Sequence, residues 1–208
     1  MNKNTLRGKK IGITAIDLEQ SEHRGIAVVT KSLIELLHKY GADIYLITGI
    51  EASRIRHIGK ISIRKKLLDE IYISDFLKSL QKGANYRETF NNNFKYRIKL
   101  CIKLIFTLFS LLMRNFNYKY RKFELSEDHK SINIFDSRLE YINNIKGFIL
   151  CPNIFKICRL RSMRLILRSP KLNIKKSDLD IIITSSPLSI KSEKKYTKII
   201  QLIHDVIP

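Results

Sequence analysis

Residues 9–48 read KKIGITAIDLEQSEHRGIAVVTKSLIELLHKYGADIYLIT, and this stretch decides the fold. It begins with a short apolar, β-branched run at 9–16, which a polar loop follows, and Gly25 then opens a segment with helical spacing. A basic last turn before Gly41 predicts the end of that helix, and a second β-rich run follows at 43–48. Strand, loop, helix and strand in this order predict the βαβ unit of a parallel sheet.

The predicted helix carries apolar residues at helical spacing, and we expect the face they share to pack on the sheet. These residues are Ile26, Val29, Leu33, Leu36 and Leu37. The sequence therefore predicts both the element and the side of it that is buried.

Two runs near the end of the sequence predict further strands of the same sheet. Residues 178–184 (DLDIIIT) form a continuous apolar run, typical of a strand buried on both faces, and a Ser-Ser-Pro tripeptide follows it. Residues 198–203 (KIIQLI) run directly into His204 and Asp205. Open α/β sheets bind ligands at the carboxyl ends of their strands, so the polar residues at both ends are site candidates. The predicted fold class is α/β, a Rossmann-like parallel sheet with flanking helices.

The middle of the sequence predicts a basic helical insertion at about 61–130 within a single domain spanning 1–208. Helical spacing covers 61–83, and an Asn-rich loop is predicted at 86–94. Inner positions of the helix are expected at Leu67, Leu68, Ile71, Phe76, Leu77 and Leu80. Beyond the insertion we predict a strand at 131–135, a helix at 136–144 and an apolar segment at 147–150, as in the rest of an α/β domain.

A basic, strongly apolar stretch, KYRIKLCIKLIFTLFSLLMRNFNYKY, occupies residues 95–120. Its apolar centre at 98–113 is interrupted by Lys99 and Lys103 and falls short of the roughly 20 apolar residues that a spanning helix needs. One interpretation is an interfacial helix on an anionic membrane; another is a core helix whose lysines lie on its solvated face. RNA contact is disfavoured because no RNP-like, KH or zinc-knuckle pattern accompanies the basic residues.

The overall composition fits a globular protein with an anionic partner. Hydrophobic residues make up 44% and charged residues 28% of the 208 positions, which argues against disorder. The formal net charge of +20 favours nucleotides, nucleic acid or an acidic leaflet as partners without choosing among them.

The cysteines and the N-terminus bear on the compartment. Cys101, Cys151 and Cys158 form no Cys-x-x-Cys pair, and no histidine completes a zinc set, so we expect no metal and three reduced thiols in a cytoplasmic protein. Residues 1–10 lead directly into a strand and lack the apolar core of a secretory signal.

The first candidate site is Arg24-Gly25-Ile26, at the predicted start of the helix. A glycine there lets the backbone approach a ligand, free N–H groups attract phosphate, and Arg24 adds a positive charge. The alternative is that Gly25 only permits a turn. The sequence contains neither G-x-G-x-x-G nor a P-loop, which gives little support to a nicotinamide enzyme or a P-loop NTPase.

The second candidate site is His204-Asp205. The histidine can donate a hydrogen bond to a sugar hydroxyl or a phosphate and stabilise developing charge, and Asp205 can orient a hydroxyl. The alternative is that Asp205 caps the next helix. Ser185 and Ser186 lack a Gly-x-Ser-x-Gly elbow, which argues against a serine hydrolase.

Four segments, in this order, resemble the N-terminal domain of family 4 retaining glycosyltransferases, which have the GT-B fold. They are KIGITAIDL, RGIAVVTKSLIELLHKYGADIYLIT, DLDIIITSSP and KIIQLIHDVIP. A further segment, YINNIKGFILCPNIFKICRLRSM, resembles the middle of bacterial members that build surface polysaccharide.

The resemblance implies a nucleotide-sugar donor, a glycan or lipid-linked acceptor, and no metal. By position, His204 would be the active-site histidine with Asp205 beside it, while Arg24, Gly25 and Ile26 would face the donor diphosphate or the acceptor. The family's C-terminal nucleotide-sugar domain, with its Arg/Lys pair and Glu-x7-Glu element, has no counterpart here, so we expect this half to be inactive without it. The alternative is a non-enzymatic basic module that binds a protein or the anionic inner face of the plasma membrane.

Overall fold

The structure is a computed structural model that describes residues 5–19, 25–49, 70, 73, 74, 77, 80, 120–127, 137–151, 154, 155, 158, 171, 172, 178–186, 188, 190–192 and 196–202. Within these residues the strands are β1 (Lys10–Thr14), β2 (Asp43–Thr48), β3 (Arg121–Glu124), β4 (Gly147–Leu150), β5 (Lys171–Leu172), β6 (Ile181–Thr184), β7 (Lys191–Ser192) and β8 (Lys198–Gln201). Helix α1 spans Gly25–Lys39, and a 3-10 helix spans Ser137–Asn144.

Six of these strands form one sheet in the order β3-β4-β2-β1-β6-β8. Every neighbouring pair is parallel except β3–β4, which is antiparallel, while β5 and β7 form a separate parallel pair. Without the antiparallel edge strand, the order is the 3-2-1-4-5 arrangement of Rossmann-like sheets. The predicted α/β, Rossmann-like fold is therefore confirmed.

Both faces of the sheet are covered at its central strands, which explains their near-continuous apolar sequences, whereas the edge strand β8 is exposed. On one face, Ile13 of β1 and Leu46 of β2 pack with Ile34 of α1 and with residues of the 3-10 helix. On the other face, Ile47 and Ile182 pack with the helical residues Ile154, Phe155 and Cys158. Successive strand residues point to opposite faces, so each strand supplies both layers.

The buried face of α1 agrees with the predicted one at Leu33 and Leu37, which pack against the core, and differs from it elsewhere. Ala27, Thr30 and Ile34 are buried, whereas Val29 is 46% and Leu36 50% exposed. Apolar residues occur on several sides of this helix, so helical spacing alone does not select one side. Small side chains at positions 27 and 30 allow a close approach to the sheet, and the prediction was wrong at Val29 and Leu36.

Helix α1 ends where the sequence predicts. Gly41 has a φ of 83°, a left-handed conformation that glycine adopts without steric cost. Its amide donates to the His38 carbonyl at 2.9 Å, and the Ala42 amide donates to the Leu37 carbonyl at 3.1 Å. These two bonds form a Schellman motif, which satisfies carbonyls that the helix leaves unpaired.

Several predicted elements are confirmed with changed limits. The apolar segment at 147–150 is β4, and the helix predicted at 136–144 is a 3-10 helix. The strand predicted at 178–184 begins only at Ile181, because Asp178 adopts a φ of 49° and the Asp180 side chain accepts from the Lys10 amide at 2.9 Å.

Strand β3 was missed because its sequence, Arg-Lys-Phe-Glu, offers a single apolar side chain. That side chain, Phe123, is buried and stacks on Phe148 of β4 with ring centroids 5.1 Å apart. Antiparallel pairing with β4 therefore stabilises an edge strand that periodicity does not reveal.

The insertion predicted at about 61–130 lies mostly outside the described residues. Within it, Leu77 and Leu80 are helical and buried, as predicted, and Ile73 joins them in the core. Leu67, Leu68, Ile71 and Phe76, the loop at 86–94 and the basic stretch before Tyr120 lie outside the described part, as does the strand predicted at 131–135.

Tyr45 makes the stability of the sheet sensitive to alkaline pH. Burial, with the nearby charge of Glu124, raises the pKa of Tyr45 from 10.0 to about 12. A raised folded-state pKa contributes stability that is fully present below pH 10.0 and is lost as the pH rises toward about 12. We expect urea denaturation to show a steeper loss of stability across this window in the native chain than in Tyr45→Phe. Equal slopes in the two proteins would contradict the assignment.

Candidate functional site

The site lies at the carboxyl ends of β1 and β6, which are neighbours at the centre of the sheet. From β1 the chain continues to β2 on one side, and it reaches β6 on the other side only later. This reversal of strand order is the topological switch point, where the connections diverge and leave a crevice. The residues that leave β1 and β6 therefore line the position at which α/β sheets bind ligands.

A carboxylate and two serine hydroxyls meet at this point. The Ser185 hydroxyl, fully buried, donates to Asp17 Oδ2 at 2.6 Å. The half-buried Ser186 hydroxyl donates to the same oxygen at 3.2 Å. Hydrogen bonds to an ionised acceptor are short and strong, so Asp17 joins the loop after β1 to the loop after β6.

Thr14, the last residue of β1, orients Ser185. The Ser185 amide donates to Thr14 Oγ1 at 3.0 Å, and the two hydroxyl oxygens lie 3.3 Å apart. The Ser185 hydroxyl also lies 3.3 Å from the Thr14 carbonyl oxygen, and its shortest hydrogen bond is the one to Asp17. The buried Thr14 and Ser185 thus set the orientation of the half-buried carboxylate.

A second carboxylate, Glu19, fixes the same loop to β2. Its Oε1 accepts from Thr48 Oγ1 at 2.6 Å and from the Gly49 amide at 2.7 Å, and its side chain is buried. The Glu19 amide in turn donates to the Ala15 carbonyl at 2.9 Å. The described part of the loop, which carries Asp17, is therefore bound to both β1 and β2.

We expect Glu19→Ala to lower the free energy of unfolding by about 3 kcal/mol, because a buried hydroxyl and an amide lose a charged acceptor. Glu19→Gln should cost only about 1 kcal/mol, because both donors converge on one oxygen that the amide retains. Urea denaturation of the two variants measures the difference. Equal losses would show that the charge, and not the two hydrogen bonds, holds the loop.

The Cys151 thiol near this loop is not poised for chemistry. Burial, with the neighbouring Cys158 and Glu19, raises the pKa of the Cys151 thiol well above its ordinary range. A buried, protonated thiol is a poor nucleophile and a poor metal ligand. Within the described ranges, no group of three His, Cys, Asp or Glu side chains is placed to hold a metal ion.

Of the predicted site residues, the structure describes two. Gly25 is exposed and Ile26 half-buried in the first turn of α1, where the Ile26 carbonyl accepts from Thr30 Oγ1 at 2.9 Å. Arg24, His204 and Asp205 lie outside the described residues, so whether they join Gly25 at one site is not seen.

Strand β8, which precedes His204 in the sequence, lies beside β6. Strand β8 pairs in parallel with β6, and the Leu202 amide donates to the Thr184 carbonyl at 2.9 Å. Parallel neighbours end at the same edge of a sheet, so Leu202 lies at the edge that carries Ser185 and Ser186.

Sequence reasoning identified neither Asp17 nor Glu19. It counted the Ser-Ser-Pro tripeptide among the polar strand ends that are site candidates, and it considered Ser185 and Ser186 by name only as hydrolase nucleophiles. The available signal was the position of these residues: Asp17 and Glu19 follow the first strand, and the serines follow the second buried strand. What the sequence does not indicate is that these two strands are neighbours, since they are separated by over a hundred residues.

No protein-family model matches the chain, and neither a curated protein nor a solved structure is significantly similar to it. Among the helices of the described ranges, none is long and apolar enough to cross a membrane.

Proposed function

We propose that this chain is the acceptor-side, Rossmann-like half of a GT-B glycosyltransferase, which transfers a sugar from a nucleotide-sugar to a glycan or lipid-linked acceptor. The observation that carries the proposal is the polar cluster at the carboxyl ends of β1 and β6, in which Asp17 is hydrogen-bonded to Ser185 and Ser186. The order of the sequence segments that resemble family 4 supports it independently.

The chemistry of the crevice suits a carbohydrate better than a phosphate. A carboxylate accepts hydrogen bonds from sugar hydroxyls, and serine hydroxyls both donate and accept. Two carboxylates, Asp17 and Glu19, lie on the loop after β1, and they would repel an anion placed beside them. The donor diphosphate would therefore lie away from Asp17, and Arg24 with the amides of the first turn of α1 would attract it.

In this proposal catalysis depends on position and charge stabilisation rather than on a protein nucleophile. Groups held on the ends of rigid strands place the acceptor hydroxyl and the transferred sugar at reacting distance. His204 would donate a hydrogen bond that stabilises charge as the diphosphate departs. No metal is required in this scheme, because the basic chain itself supplies positive charge.

Acceptor-dependent release of nucleoside diphosphate tests the proposal. The chain is joined to the C-terminal nucleotide-sugar domain of a family 4 enzyme and given a panel of nucleotide-sugars with glycan and lipid-linked acceptors. We expect release with at least one donor, and only when acceptor is present. The proposal would be contradicted by a fusion that is folded but releases no nucleoside diphosphate with any donor–acceptor pair of the panel.

A non-enzymatic basic module is the second candidate, favoured by the net charge of +20. It predicts that binding to anionic vesicles weakens with salt and is lost when Lys99, Lys103 and Arg114 become Glu. The control variant changes the exposed Lys9, Lys39 and Lys198 to Glu. The two triple variants then have the same net charge. Equal losses in the two triple variants, measured by vesicle sedimentation, would show that only overall charge matters.

A further inference from the structure

The two carboxylate oxygens of Asp17 carry unequal hydrogen bonds. Oδ2 accepts from the Ser185 hydroxyl at 2.6 Å and from the Ser186 hydroxyl at 3.2 Å. Oδ1 lies 3.5 Å from the Ser186 hydroxyl, the longest of the three distances. A carboxylate has about four lone-pair positions, so Oδ1 retains the larger capacity to accept from a ligand.

The fixed position of Ser185 makes this arrangement selective. The Ser185 hydroxyl donates to Asp17 at 2.6 Å, and the Ser185 amide donates to Thr14 Oγ1 at 3.0 Å, so the buried serine is held against the carboxylate. These hydrogen bonds hold the Asp17 carboxylate in one orientation. The ligand then meets one fixed acceptor, Oδ1, and beside it the half-buried hydroxyl of Ser186.

We propose that Asp17 and Ser186 bind a vicinal diol, with one ligand hydroxyl donating to Asp17 Oδ1 and its neighbour hydrogen-bonding to Ser186 Oγ. This inference rests on the proposed function in that it names the substrate class at the same crevice. Adjacent hydroxyls on a sugar ring match Asp17 Oδ1 and Ser186 Oγ, because these two oxygens lie 3.5 Å apart. A phosphate does not fit the pair, because it would place negative charge against Asp17.

A vicinal diol can come from a pyranose or from the ribose of a nucleotide. Each source has a probe that lacks the hydroxyl pair: methyl α-D-glucopyranoside is compared with its 2,3-dideoxy analogue, and uridine with 2′,3′-dideoxyuridine. Binding to the full chain is followed by the amide NMR signals of Ser185, Ser186 and Gly49 during titration. We expect one diol to bind saturably and its analogue to bind at least about tenfold more weakly, because the site's polar groups are left unpaired.

Two variants locate the site and one controls for charge. Asp17→Asn and Ser186→Ala should each weaken binding of the diol by about tenfold or more, since each removes one of the two contacts. Asp43→Asn makes the same substitution at the opposite edge of the sheet, where Asp43 pairs with Lys146 at 2.8 Å, and should leave binding unchanged. Amide spectra of each variant, dispersed as in the native chain, report that it is folded.

Selective binding of the pyranoside assigns the site to the sugar, and selective binding of uridine assigns it to the nucleotide. The proposal would be overturned if neither diol binds saturably, or if Asp17→Asn binds the diol as tightly as the native chain does. The transfer assay separates this failure from that of the proposed function. If the fusion transfers sugar and Asp17→Asn does not change the rate, the diol site is contradicted and the transferase proposal stands. If the diol binds but the fusion transfers no sugar, the transferase proposal is contradicted and the diol site stands.

Discussion

Replacing Gly147 by alanine is expected to lower the free energy of unfolding by about 3 kcal/mol, because an added methyl group overpacks a strand contact. A Cβ at Gly147 would overlap the backbone carbonyl of Phe123 on the paired strand β3. Backbone cannot move aside as a side chain can, so β3 must separate from β4. Phe123 would then leave its stacked contact with Phe148. Urea denaturation measures the loss, and hydrogen exchange of the β3 amides shows whether the edge strand opens.

Two other glycines provide graded controls. A Cβ at Gly12 would meet the end of the Leu179 side chain at 2.7 Å and that of Ile47 at 3.0 Å; both can shift, so Gly12→Ala should cost about 1 kcal/mol. A Cβ at Gly25 would meet nothing within 4 Å, and Gly25→Ala should be neutral or stabilising by about 0.5 kcal/mol. A loss at Gly147 no larger than that at Gly12 would contradict the close approach of β3.

The second large effect concerns activity. In the chain joined to a C-terminal nucleotide-sugar domain, His204→Ala should lower the rate constant of transfer by about a hundredfold, the usual cost of removing one group that stabilises transition-state charge. The expected change is in kcat, with a small change in KM, because the contact strengthens as the diphosphate departs. Steady-state release of nucleoside diphosphate, measured against donor concentration, separates the two constants.

His38→Ala is the matched control for this experiment. His38 is exposed in the last turn of α1, far along the chain from the crevice, and its replacement should leave kcat unchanged. Unchanged turnover in His204→Ala would remove the role given to that histidine while leaving the fold unaffected. A fall in kcat that is equal in both variants would indicate a general loss of folded protein instead.

The sequence predicted the elements whose local signals agree with one another. Strand β1, helix α1 and strand β2 were predicted nearly to the residue, because turn chemistry at Gly41 and apolar β-branched runs indicate the same boundaries. Local patterns failed where a long-range contact decides. Strand β3 exists because it pairs with β4, and Val29 and Leu36 are exposed because the sheet selected another side of α1.

The candidate site divides in the same way. That polar residues follow the buried strands is visible in the sequence, and the principle that such strand ends bind ligands makes them candidates. That Asp17 contacts Ser185, and not a residue after β2 or β4, is not visible, because strand order is a property of the assembled sheet.

The amino-acid sequence by itself determined the class of fold, since backbone hydrogen bonding and burial on both faces leave few arrangements for alternating apolar strands and a capped helix. Only the tertiary structure decided which strand ends meet. Placing β6 beside β1 brings together residues 168 positions apart and gives Asp17 its serine partners. The physical reason is that a local pattern specifies how a segment hydrogen-bonds and which residues it can bury, whereas neighbours in a sheet are chosen by the packing of the whole core.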